Sequence, residues 1–223
     1  MFGRLAKRDD RGILIEFIMI VVGINIALWF EGWFEEQGER QVERQYLEGM
    51  RDDLRDDIDN LDKLIEWNEG KIERLGEIIP RLHELADAPG EVQTETLFEP
   101  SSYMFFQPSD FTFLSMRESG DFRLLSEEAI KQGILRLNRQ YSVIGTLEKN
   151  FLQALDDGYA PLLMASLDVM ESRISDPTVI ERQNFRNFFP FAHQDTRTRV
   201  YMYRQAREQA ETLLDLIERQ LRG

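Results

Sequence analysis

Cysteine is absent from the 223 residues, which excludes a disulfide framework, a zinc-thiolate site and a thiol nucleophile, and fits either redox compartment. Histidine is nearly absent too. His83 falls on a helical stretch and His193 follows an aromatic cluster, with no local spacing that makes them a pair. No Gly-rich phosphate loop, nucleophile elbow or HExxH is present. Carboxylates abound, but they lie along helix-periodic stretches and no two stand out as acid and base. The run RDDLRDDIDNLD lacks the central Gly and the closing Glu that a calcium loop needs. Together these absences point to a non-enzymatic chain without cofactor or metal. Positive charge is also short: the net charge of -14 and pI near 4.7 disfavour nucleic acid and anionic lipid as partners of the polar part. At 42% hydrophobic and 11% aromatic the chain has enough apolar material to fold.

Long apolar runs are limited to one, Gly12 to Phe34, which holds no Lys, Arg or Pro. As a helix it reaches roughly 30 Å, the thickness of a bilayer's hydrocarbon core, and it reads as a transmembrane helix. Arg4, Lys7, Arg8 and Arg11 precede it and Glu31, Glu35, Glu36 and Glu39 follow it. By the positive-inside rule the N-terminus is cytoplasmic and the bulk of the chain extracytoplasmic, periplasmic in a Gram-negative cell. Arg8 and Arg11 on one side and Trp29 and Trp33 on the other are interface anchors. A cleaved signal peptide is disfavoured, because Trp-Phe-Glu-Gly-Trp-Phe stands where a small-x-small cleavage site belongs. Within the run, Glu16, Gly23 and Ala27 share one helical sector and Asn25 lies almost opposite. Gly23 and Ala27 permit close approach of another helix, and Asn25 can hydrogen-bond across an interface. Lipid and a second membrane helix, from a homo-oligomer or another subunit, are the partners this predicts.

Beyond the run no Pro occurs between Glu35 and Ile79, and a heptad runs through Leu54, Ile58, Leu61, Ile65, Asn68, Ile72 and Leu75. Two readings compete: a parallel coiled coil between chains, or an acidic stalk helix packed in its own bundle. Leu64, Ile78 and Leu85 widen the apolar face to three sevenths and favour the bundle. The acidic run from Asp52 to Asp62, Asp57 included, is then a solvated face. Pro80 interrupts the helix, and Ala88-Pro89-Gly90 ends it.

The organisation expected is all-α: a basic tail over 1–11, a transmembrane helix over 12–34, a stalk helix over 35–88, and the rest of an elongated extracytoplasmic bundle over 89–223. Smaller expectations are a short strand around Val92 to Leu97 and a helix from Ser109 capped by Ser109 or Asp110. Further on come a Ser119-Gly120-Asp121 turn, a helix capped at Ser126 that bends at Gly145, a helical segment from Leu162 to Ile174, and a final helix of roughly 40 Å antiparallel to the stalk. Two aromatic clusters, represented by Phe105 and Phe106 and by Phe188 and Phe189, either close the distal core or form a partner surface.

Glu16, the run VVGINIALWFEGWFEE, Tyr46-Leu47 followed by DLRDDI, and FTFLSMRESGDFRLLS before a helix ending near Tyr141 resemble a bacterial family of single-pass membrane proteins of unknown function. The resemblance spans most of the chain and implies an anchored helical domain with no activity to carry over. The function expected is an oligomeric scaffold or accessory subunit of a membrane complex. The alternatives are a ligand-sensing domain working through a partner, or a pore formed by a ring of transmembrane helices.

Overall fold

The computed structural model describes residues 10–168, 170–171 and 173–222. It is all-α apart from one two-residue ladder. The longest helix, α1, runs unbroken from Asp10 to Ile78, 69 residues or about 100 Å. It lacks internal Pro, and its buried positions recur every three or four residues from Leu47 to Leu75. Pro80 ends it in a 3-10 turn, Ile79–Arg81, because proline cannot donate to the preceding turn. Three short helices follow, α2 (Leu82–Asp87), α3 (Thr94–Phe98) and α4 (Phe111–Ser119). Gly120, at φ 79°, closes α4 in the left-handed conformation that only glycine adopts at little cost.

Two more long helices complete the bundle, α5 (Glu128–Ala154) and α7 (Gln183–Arg222). Between them lie a π-helical turn, Leu155–Tyr159, then α6 (Ala160–Ala165). A ladder follows in which β1 (Leu167–Asp168) pairs antiparallel with β2 (Arg173–Ile174). α7 runs antiparallel to α1: Arg199 reaches Asn68, Arg207 reaches Asp62 and Gln220 reaches Glu43. α5 runs parallel to α1, with Ser126 on Glu43 and Tyr141 on Asp57. The core forms three stacked clusters. Leu54, Met116, Ile134 and Leu213 fill the base. Leu61, Ile144, Tyr203 and Ala206 fill the middle. Leu75, Leu97, Phe151, Tyr159, Phe185 and Phe189 fill the distal end. Each buried Leu or Phe contributes about 1.5–3 kcal/mol.

Several expectations are corrected. Thr94–Phe98 is helical rather than a strand, since Leu97 turns inward and Tyr159 Oη donates to its carbonyl at 2.6 Å. Neither Ser109 nor Asp110 caps α4 with a side-chain bond, and Ser126 does not cap α5; the Ser109 and Ser126 backbone N–H groups go instead to Asp57 and Glu43. Leu162 to Ile174 is helical only to Ala165. As expected, the helix through Gly145 continues toward Pro161, α5 passing through the π-helical turn into α6. The final helix is 40 residues, about 60 Å, because it starts before the second aromatic cluster and carries Pro190 inside it. One heptad position is spent within the chain, Leu54, Leu61, Asn68, Leu75 and Leu82 being buried, while Ile58, Ile65, Ile72 and Ile79 at the other are half-buried.

Candidate functional site

Two features are set apart from ordinary core and surface. The first is the apolar N-terminal part of α1, exposed at every position from Glu16 to Gly38. Phe17, Ile24, Leu28, Trp29, Phe30, Trp33 and Phe34 are all at least 45% exposed. An apolar surface of that size is far beyond what a water-facing helix carries singly. Trp29 meets Phe30 and Trp33 meets Phe34 edge-to-face, with centroids 5.3 and 5.1 Å apart. Gly23 has nothing within 4 Å of where a Cβ would stand, so its face is open. Asn25 Nδ2 donates to Val21 O at 2.7 Å, within its own helix, which leaves the amide oxygen free. Glu16 and Ala27 are exposed on the same helix. Arg8 lies outside the described residues; Arg11 lies on α1, and its side chain is outside them.

The second feature is a set of buried ionisable side chains that hold the extended segment 102–110 across the bundle. That segment has no ladder partner, so its backbone groups must bond to side chains. Lys71, fully buried, donates to Pro100 O at 3.1 Å and to Ser102 O. Glu148, 6% exposed, accepts from Phe106 N at 2.9 Å and from Tyr203 Oη at 2.7 Å. Asp57, 2% exposed, accepts from Ser109 N and from Tyr141 Oη, both at 2.7 Å. Asp53 accepts from Thr112 N at 3.1 Å. At the base, one Glu43 oxygen accepts from Ser126 N, Ser126 Oγ and Gln220 Nε2. Arg199, fully buried, bonds Asp195 at 2.7 Å and stacks over Phe151, as does Lys71.

Burial dominates the electrostatics. Desolvation, with Arg199 nearby, pushes the Lys71 ammonium down to about 7. Burial raises the Asp57 and Glu148 carboxyls, against the hydrogen bonds they accept. Burial also raises the Tyr141 and Tyr203 phenols, each helped by its carboxylate partner, so both remain donors across the physiological range. The arrangement clamps backbone; among the described residues no group of three or more His, Cys, Asp or Glu is placed to hold a metal. A cavity of about 40 Å³ beside Asp57, walled by Met50, Leu54, Phe113 and Leu137, has room for little more than water.

Of the residues expected to form a partner surface, Phe106, Phe188 and Phe189 are buried and Phe105 is half-buried. Phe105, Phe188 and Phe189 plug the distal core and Phe106 the middle one: Tyr159 stacks on Phe185 and Phe188 with centroids 4.5 Å away. Asp57 is likewise no part of a solvated face. His83 is exposed and His193 half-buried, the latter depressed by burial and Arg197. The clamp residues did leave a signal. Asp57, Lys71 and Glu148 sit at core-facing positions of their helices, three or four residues from Leu54 and Leu61, Asn68 and Leu75, and Ile144 and Phe151. A charge on the apolar stripe is the mark of a buried partner. No family model, curated protein or solved structure matches the chain, so the functional reading rests on its own residues.

Proposed function

We propose that the chain is a non-enzymatic single-pass membrane protein, its N-terminus cytoplasmic and its helical bundle extracytoplasmic, acting as an oligomeric scaffold or accessory subunit of a membrane complex. One observation carries the reading: the apolar segment is exposed on all faces yet belongs to the same unbroken helix that lines the bundle core. Lipid is the solvent that such a surface requires. The basic residues before the segment and the acidic ones after it set the direction. Arg8, Arg11, Trp29 and Trp33 anchor the two interfaces, while Glu16, Gly23, Asn25 and Ala27 offer the contact to a neighbouring helix. The clamped bundle, its helices and crossing segment tied together by buried side-chain bonds, suits a rigid body that positions partners.

A reporter fused after Gly223 tests the topology. A fusion active only in the extracytoplasmic space, together with resistance of the protein to alkaline carbonate extraction, is the expected result. Cytoplasmic reporter activity, or release by carbonate, overturns the reading.

A further inference from the structure

α5, like α7, carries more cations than acids. Between Lys131 and Gln153 its one acidic residue is Glu148, which is buried. Its outward side shows Arg136, Arg139 and Lys149 around Leu135 and Val143, which are 48% and 38% exposed. This occurs in a protein of net charge -14. On α1, Asp52, Asp56, Asp59 and Glu66 fall within about 80° of one another at ~100° per residue, on the side opposite the buried leucines; Lys63 shares the sector and Asp52 is bonded to Arg51 at 2.8 Å, which leaves the acids in excess. Among the described residues, Arg136, Arg139 and Lys149 meet no carboxylate, and Asp56, Asp59 and Glu66 meet no cation.

The two stripes also match in height. α1 and α5 run parallel, and the bonds from Ser126 to Glu43 and from Tyr141 to Asp57 span 83 and 84 residues. The same offset sets Arg136 level with Asp52, Arg139 with Asp56 and Lys149 with Glu66. Copies standing on the same membrane are held parallel and at one height, so the cations of one bundle face the acids of the next without any shift.

We infer that the outward face of α5 docks onto the acidic outward face of α1 in a second copy of this chain. The inference rests on the membrane-anchored, oligomeric reading above and names the surface that reading leaves open. Because the two faces differ, the contact is heterologous, so each copy offers a free face to a further one and the assembly grows toward a ring or an array. Individual exposed pairs are weak and screened by salt. Confinement in the membrane and the apolar centre at Leu135 and Val143 supply the rest.

The full-length chain, which has no native cysteine, is tested in native membranes at low salt. Arg139→Cys combined with Asp56→Cys is expected to give a ladder of oxidised dimers and larger species. Arg139→Cys combined with Glu77→Cys, about 30 Å farther up α1, is expected to give none. Independently, Arg136→Glu with Arg139→Glu should reduce cross-linked oligomer at least fivefold, and adding Asp52→Arg with Asp56→Arg to the same chain should restore it. Equal ladders from both cysteine pairs, or charge reversal without effect on an oligomer that Gly23→Leu dissolves, overturns this surface and leaves membrane-helix association standing. A wild-type chain that is monomeric in the membrane overturns the surface and the oligomeric reading together.

Discussion

The Asp57 carboxylate of α1 accepts a 2.7 Å hydrogen bond from the Tyr141 hydroxyl of α5. Its second oxygen holds Ser109 N–H at 2.7 Å, so one buried acid joins two long helices and the segment crossing them. Asp57→Ala leaves a buried phenol and a backbone donor unpaired and is expected to cost about 2–4 kcal/mol; Tyr141→Phe, which strands only one acceptor lobe, about 1–2 kcal/mol. Thermal unfolding of the full-length protein in mild detergent measures both. The double variant should cost less than the sum, by more than about 0.5 kcal/mol, because the residues share one bond. Strict additivity overturns the coupling.

Lys71 predicts a pH dependence with a definite sign. Its folded pKa is about 7, below the ordinary value near 10.4 that it regains on unfolding. Between those values the unfolded chain binds more protons, so stability rises with pH across that window and the contribution is lost as pH falls toward 7. Lys71→Met keeps the volume and removes the charge. It strands the Pro100 and Ser102 carbonyls that Lys71 serves, at a cost of about 1–3 kcal/mol at high pH, and should flatten the rise between pH 7 and 9 seen in the parent protein. Equal slopes in the two proteins would remove Lys71 as the cause.

Backbone spacing gives a third prediction. A Cβ on Gly49 would stand 2.9 Å from Thr112 Oγ1, where α4 presses against α1. A Cβ on Gly76 meets nothing within 4 Å. Gly76→Ala is therefore expected to stabilise the helix by about 0.5–1 kcal/mol. Gly49→Ala should lose that gain to overpacking and come out about 1 kcal/mol destabilising. Denaturant midpoints of the two variants check the difference, and the same sign for both would contradict the close approach at Gly49.

The long helices were legible because their signals are periodic and local: the apolar stripe through Leu54, Leu61 and Leu75, the absence of Pro up to Pro80, and the turn at Gly120. What escaped was set by contacts distant in sequence. Ser109 and Ser126 look like helix caps, but Asp57 and Glu43, 52 and 83 residues away, take their N–H groups. Phe188 and Phe189 cluster in sequence as an exposed patch would. They are inside because α7 begins at Gln183 and turns both toward Tyr159. The strand expected at Val92 to Leu97 failed because VQTETL, apolar only at its two ends, has no periodicity that separates a strand from a helical turn, and packing of Leu97 under Tyr159 decides it. Asp57, Lys71 and Glu148 were visible as charges on apolar stripes, yet their role needed the extended segment that lies over them.

The exposed apolar segment of α1 yields the last prediction. Gly23 faces open space, and Asn25 already spends one amide N–H on Val21 O in its own helix. Gly23→Leu adds a branched side chain where another helix would approach, and should lower the oligomer fraction severalfold in mild detergent. Asn25→Leu should have the smaller effect, near the lower end of the 0.6 to 2 kcal/mol range for interhelical bonds, because only its oxygen and second N–H remain to offer a neighbour. Sedimentation of the solubilised full-length protein separates the two, and helical content should be the same in both variants, since no residue from Glu16 to Gly38 is buried against the bundle. A larger loss with Asn25→Leu than with Gly23→Leu would place the contact on the opposite face of the helix. Wild-type size for both would reduce the segment to a lipid anchor and leave the outer faces of α1 and α5 as the place where copies meet.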